Sequence, residues 1–156
     1  MSQENLYLEN RKVLKISGLN CVDFLNNILT SDISKLKPLE TIPAALLSPQ
    51  GKVLYEMLVG LDFQKYSEYK SILIEYDLFC EDELIKKLNM YNLRKEVKIK
   101  KTNYYVHVSN NTKCSENSLK DKKRTINVLK TDFLGIFLRD FEKIMKYDKS
   151  SQYVNR

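Results

Sequence analysis

Tryptophan is absent, glycine occurs four times and histidine once in the 156 residues. With so little glycine there is no phosphate-cradling loop, since neither a G-x-G-x-x-G string nor a Walker sequence occurs. His107 is alone and no Cys-x-x-Cys accompanies it, so no zinc ligand set is expected. It sits in an alternating apolar strand pattern, where a packed or surface histidine is the ordinary finding. No serine has a histidine at the spacing of a hydrolase triad. The cysteines, Cys21, Cys80 and Cys114, are odd in number and irregularly spaced. That excludes a disulfide framework and fits a reducing cytoplasm. No apolar run approaches the ~18 residues of a membrane helix; the most apolar, Thr41 to Leu47, is far shorter. The opening Met1-Ser2-Gln3-Glu4-Asn5 has neither the basic start nor the apolar stretch of a secretory signal.

What is present reads as one ordinary globular domain. Hydrophobic residues make up 43% and charged residues 29%, in a chain long enough to bury a sizeable core. The charge is +6, from 26 basic and 20 acidic side chains. This favours an anionic partner, yet only five of the cations are arginine, the better bidentate reader of phosphate and bases. The lysine- and asparagine-rich, glycine-poor composition also matches the coding bias of an AT-rich genome. Lys98, Lys100 and Lys101 near Tyr104 and Tyr105 suggest a single-strand nucleic-acid platform. The same lysines alternate with Val97 and Ile99, as a solvated sheet face requires, so no specific nucleic-acid partner is expected.

Strand and helix patterns alternate along the chain without repeats. Arg11 to Ile16 reads as a strand closed by Ser17-Gly18. Asn20 then stands as N-cap of a helix with Val22, Leu25 and Leu29 on one face, and Phe24 and Ile28 beside them. Thr30-Ser31-Asp32 stops that helix and offers a fresh cap for a turn carrying Ile33 and Leu36. Thr41 to Ser48 and Val53 to Val59 flank Pro49-Gln50-Gly51-Lys52, the clearest hairpin signal in the chain. Ser71 to Tyr76 predicts a strand, and either Asp77 or Cys80 opens a helix with Leu84, Leu88 and Tyr91 on one face. Its acidic first turn and later lysines suit the helix dipole. Val97 and Ile99 alternate with lysines as in a half-buried strand, and Tyr104 to Val108 predicts another. The order β-α-β-β-α-β over residues 11–101 is that of a ferredoxin-like split βαβ unit, an α+β fold, with a C-terminal extension. Residues 1–109 are expected to form the main domain and 110–125 an exposed loop or insert. Residues 126–156 then supply a returning strand and a helix around Phe141, Ile144 and Met145, the start of a second subdomain.

Three ordered segments resemble the folate-binding family of the glycine cleavage T-protein, an aminomethyltransferase, and within it the YgfZ-type branch that supports iron–sulfur cluster maintenance. They are Gly18-Leu19 with Phe24-Leu25, Leu29-Thr30 and Asp32-Ile33; then Ser48-Pro49-Gln50-Gly51-Lys52-Val53-Leu54; then Leu88, Tyr91, Leu93-Arg94, Val97 and Ile99. The resemblance implies a ring-like fold around a channel for tetrahydrofolate. The branch's Lys-Gly-Cys-Tyr-x-Gly-Gln-Glu signature with its reactive cysteine does not occur here. The resemblance therefore implies a short member, a truncated N-terminal half, one piece of a split or decaying gene. A second chain supplying the missing half is then an expected partner, beside the folate-type small molecule.

The same resemblance suggests the site. Glu56 stands where aminomethyltransferases carry a folate-orienting aspartate, and its extra methylene speaks against methyl transfer. Thr30 and Asp32 are ligand contacts or helix-end caps. Gln50 and Lys52 occupy the hairpin turn, where Lys52 can attract a glutamate tail. Arg94 can fork onto a carboxylate or pair with Glu96. No catalytic residue and no metal ligand is assigned. Two other readings stand beside this one: an inert or repurposed interaction scaffold, and a basic nucleic-acid module.

Overall fold

The computed structural model describes residues 5–38, 40–62, 71–109, 118–121 and 138–140. Strand β1 (Asn5–Ser17) is followed by helix α1 (Cys21–Ile28), the hairpin β2 (Glu40–Leu47) and β3 (Val53–Leu61), and strand β4 (Ser71–Asp77). Helix α2 (Glu81–Tyr91) leads to β5 (Lys98–Ser109), and two short strands follow, β6 (Ser118–Asp121) and β7 (Leu138–Asp140). Around the sheet the order is β1-β4-β3-β2-β6-β7-β5, closed into a barrel by the pairing of β5 with β1.

β1 lies between β4 and β5 and runs antiparallel to both. β4, α2 and β5 are therefore a split βαβ unit, and the α+β fold expected from the sequence holds. The meander from β2 to β4 adds one strand to the expected order, because Ser71–Asp77 pairs with β3 as well as opening the split βαβ unit. β1 and β5 are also longer than their local patterns suggest. Leu6 pairs with Val108 and Leu8 with Val106, a ladder between distant segments. Within the segment read as an exposed loop, Ser118–Asp121 forms β6, which runs parallel to β2 through Glu40↔Lys120 and Thr41↔Asp121. The expected helix beyond Phe141, and Cys114, lie outside the described residues.

Alternation along the strands sorts side chains into two cores. Leu14 and Ile16, Met57 and Val59, and Ile72, Ile74 and Tyr76 face the helices and pack with Phe24, Leu25, Leu84, Leu88 and Val97. Val13, Leu73 and Val106 point the other way and form a smaller cluster with Leu8 and Tyr104.

Helix ends follow local chemistry. Asn20 occupies the N-cap of α1 without a side-chain cap bond, whereas Asp32 caps the turn Ile33–Lys35 by accepting from Ser34 N at 3.1 Å. Asp77 likewise accepts from Phe79 N at 2.9 Å, capping the turn Leu78–Cys80, and α2 begins only after Cys80. Tyr91 departs from the expected buried stripe. At the last residue of α2 it is 42% exposed, because the chain turns away at Asn92 before another element covers it.

Candidate functional site

The face of the sheet away from the helices carries the expected hairpin residue Glu56. After α1 the chain lies along the outer edge of β2: Leu29 bridges Leu46, Thr30 N donates to Ala45 O at 3.0 Å, and Ala45 N donates to Thr30 Oγ1 at 2.9 Å. Ser31 Oγ continues this edge by donating to Pro43 O at 2.6 Å. Ala45 also pairs with Glu56 across the hairpin. Thr30 and Glu56 therefore flank one alanine in a single row, both exposed. The small Ala45 side chain between them leaves the row open.

The other candidates are dispersed. Asp32 is exposed and its carboxyl lies below the ordinary range, first because Ser34 Oγ donates to it. Lys35 stands 3.4 Å away. Gln50 and Lys52 sit at the hairpin tip, where their backbone N–H groups donate to Ser48 Oγ at 3.2 Å each and their side chains reach solvent. Gly51, at φ 81°, makes that turn possible.

Arg94 lies on the helix side instead. It lines a cleft of about 450 Å³ together with Asn20, Asp23, Asn27 and Glu96 over an apolar floor that includes Phe24. Arg94 is 3.9 Å from Glu96 and 87% exposed, so that pair is a loose surface contact. The sheet thus separates Arg94 from Glu56, and the six candidates do not form one site.

Two charged pairs on the helix-free face escaped the sequence reading. Arg11 Nε donates to Glu75 Oε1 at 2.9 Å, and Lys15 Nζ is 2.6 Å from Asp62 Oδ2. The Glu75 and Asp62 side chains are nearly sealed from solvent. The available signal was a glutamate inside the otherwise apolar run Ser-Ile-Leu-Ile-Glu-Tyr, because a buried carboxylate requires a cation. Burial lowers the Arg11 pKa, opposed by the charges of Asp77 and Glu56. The guanidinium stays charged all the same. Cys80 is a different case. Burial pushes its thiol up, and its Sγ donates to Asp77 O at 3.0 Å, so it is not an activated nucleophile. The His107 side chain lies outside the described residues; its backbone pairs with Tyr7 and Asp140. Among the described residues no helix is long and apolar enough to cross a membrane.

Comparison with known proteins agrees with this architecture. No family model matches the chain. Over 98 residues it is 26% identical to the mitochondrial iron–sulfur cluster assembly factor IBA57 homolog of Yarrowia lipolytica, a match covering 62% of this chain and 20% of that protein. The crystal structure of glycine cleavage system aminomethyltransferase T from Bartonella henselae superimposes with a TM-score of 0.58 at 12% identity, covering 85% of this chain and 33% of that one. The chain thus spans a fifth of the curated relative and a third of the structural one. The chain therefore has a fold similar to part of a glycine cleavage aminomethyltransferase, and its sequence is similar to part of an iron–sulfur cluster assembly factor.

Proposed function

We propose that the chain is a T-protein-like module acting in iron–sulfur cluster assembly, and that it holds a folate-type ligand without catalysing aminomethyl transfer. One observation carries this reading: the match to a cluster assembly factor covers 62% of the chain. The fold is similar to a third of an aminomethyltransferase.

The chemistry of the helix-free face fits tetrahydrofolate. Glu56 is an exposed acceptor for the N–H groups of a pterin, and Thr30 offers a hydroxyl in the same row. Lys52, exposed at the hairpin tip, attracts the carboxylates of a glutamate tail. Tetrahydrofolate, when bound, supplies a carrier of one-carbon units. Glu56 places its carboxylate one methylene further from the backbone than an aspartate would. A misplacement of ~1 Å costs on the order of 100-fold in rate at a reacting centre, which favours binding over transfer. The proposed location is a reducing cytoplasm, although the relative is mitochondrial by name.

The test is depletion of the protein in its own cells, with iron–sulfur enzymes assayed beside cluster-free enzymes. A selective fall in the iron–sulfur activities, restored by the full chain, is the expected result. Unchanged iron–sulfur activities after complete depletion would overturn the assignment.

A further inference from the structure

The helix-side cleft lies across the sheet from Glu56 and has two walls set against each other. One wall is α1, where Asn20, Asp23 and Asn27 line the cleft. The other is the turn after α2, which brings Arg94 and Glu96. Gly18 joins them: it lies so near the main chain of Glu96 that an added Cβ would stand 2.8 Å from the carbonyl oxygen. Asn92 braces the turn from within, donating from Nδ2 to Val97 O at 2.8 Å. Walls fixed in advance lose little freedom when something binds between them.

The floor is apolar, with Phe24 and Ile28 from α1 and with Tyr91 and Leu93 opposite. Leu93 is 85% exposed, and Leu19, on the loop that Gly18 anchors, is 78% exposed. Large apolar side chains gathered at one opening mark a recognition surface. Three side chains of the α1 wall are unspent. Among the described residues, Asn20, Asp23 and Asn27 make no side-chain hydrogen bond or ion pair. They form one stripe whose seven residues of helical rise span about 10 Å. Three residues of extended chain cover the same length, at about 3.3 Å each. A carboxamide offers one acceptor and two donors, the complement of peptide C=O and N–H groups. Charge narrows the occupant further. The whole chain carries +6, yet in this cleft two carboxylates face one guanidinium, and that guanidinium stands 3.9 Å from Glu96. Asp23 is left uncompensated at the centre of the stripe, so the α1 wall attracts a cation and repels a polyanion.

We propose that this cleft docks an extended segment of a partner protein in which a lysine or arginine is flanked by apolar residues. The basic side chain pairs with Asp23, while Asn20 and Asn27 bond the peptide groups on either side. Alternation in the extended segment turns the basic side chain toward α1 and its apolar neighbours toward Tyr91 and Leu93. Affinity comes from the buried apolar contacts and the peptide bonds, and specificity from the one charge. Docking here is independent of any folate, because α1 and the turn after α2 stand on the helix side and Glu56 on the other.

The experiment is NMR titration of the isotope-labelled full chain with two capped peptides, acetyl-Ala-Leu-Lys-Leu-Ala-amide and its counterpart with glutamate at the centre. The side-chain amide signals of Asn20 and Asn27 are expected to shift and saturate with the lysine peptide, at an affinity roughly 10-fold or more above that of the glutamate peptide. Asp23→Asn, at an exposed position, should bring the two affinities together with little change in melting temperature. Leu93→Ser, also exposed, should weaken both peptides in parallel. Equal binding of the two peptides by the wild type would overturn the proposal, and so would a preference that Asp23→Asn leaves intact. No saturable shift at millimolar peptide would overturn it as well. A dimer in light scattering that Asp23→Asn dissolves would give the cleft to a second copy of this chain and overturn the partner segment.

Discussion

The Tyr76 hydroxyl donates to Glu81 Oε2 at 2.5 Å, and Lys101 Nζ approaches Glu81 Oε1 at 2.6 Å. One carboxylate thereby joins the end of β4, the first turn of α2 and β5, the three parts of the split βαβ unit. Tyr76 is almost fully buried, and its hydroxyl would otherwise be a stranded polar group in the helix-side core. Burial, and then the bond to Glu81, raise the phenol far above its ordinary value. It is therefore protonated, and a donor, at neutral pH.

This carboxylate predicts a pH dependence of stability. The hydrogen bond from Lys101, and next that from Tyr76, hold the Glu81 carboxyl below its usual value of 4.5. A folded value below the unfolded one stabilises the native state above the unfolded value. That contribution disappears as pH falls through the lowered folded value. Glu81→Gln should therefore cost about 1 kcal/mol at neutral pH, the scale of a charge-assisted bond at a partly exposed site. The difference from wild type should shrink on acidification below the carboxylate range. Thermal unfolding of both proteins at neutral and acid pH measures it, and a gap that stays constant would contradict the assignment.

Local chemistry was legible in the sequence, and long-range placement was not. Pro49 to Lys52 announced the hairpin, since a turn with Gly at φ 81° between two apolar runs has few alternatives. Asp32 was readable as a cap for the same reason: a short acceptor reaches a free N–H two residues on. The Arg11–Glu75 pair joins residues 64 apart, and no local pattern selects that partner among the other cations. The separation of Arg94 from Glu56 was hidden as well. It depends on which side of the sheet α2 packs, and that follows from burying Leu84 and Leu88 against Ile74 and Tyr76. Thr30 and Glu56 became neighbours only because the stretch after α1 adds itself to the edge of β2.

Two glycines should respond differently to a methyl group. Gly18 has φ 138°, and a Cβ built there would stand 2.8 Å from the backbone carbonyl oxygen of Glu96. The clash is with main chain at the entry to β5, so no side-chain motion relieves it. Gly51 has φ 81° with open space around the added carbon. Gly51→Ala should thus cost only the left-handed conformation, about 1 kcal/mol. Gly18→Ala adds displacement of backbone to unfavourable torsion and should cost about 3 kcal/mol. Urea denaturation of the two variants gives the order directly. Comparable midpoints would mean that β1 and the start of β5 do not approach as closely as described.

Lys95 tests the turn that presents Leu93 and Arg94 to the helix-side cleft. It is the non-glycine residue with positive φ among the described residues, at 52°, and its N–H donates to Asn92 O at 3.0 Å. Asn92 closes the turn by donating from Nδ2 to Val97 O at 2.8 Å. Asparagine tolerates the left-handed region better than lysine, and without the unfolded-state entropy that glycine brings. Lys95→Asn should accordingly stabilise the protein by about 0.5 kcal/mol, and Lys95→Gly should lie near wild type because relief of the Cβ is offset by chain entropy. Lys95→Val should be destabilising by about 2 kcal/mol, since a β-branched side chain crowds the backbone at this φ. Asn92→Ala removes the Val97 contact and should cost a further ~1 kcal/mol where Lys95 is retained. Chemical denaturation of this set separates torsion from hydrogen bonding. If valine were tolerated as well as asparagine, Lys95 would not be left-handed in solution, and the orientation of Arg94 toward the cleft would lose its support.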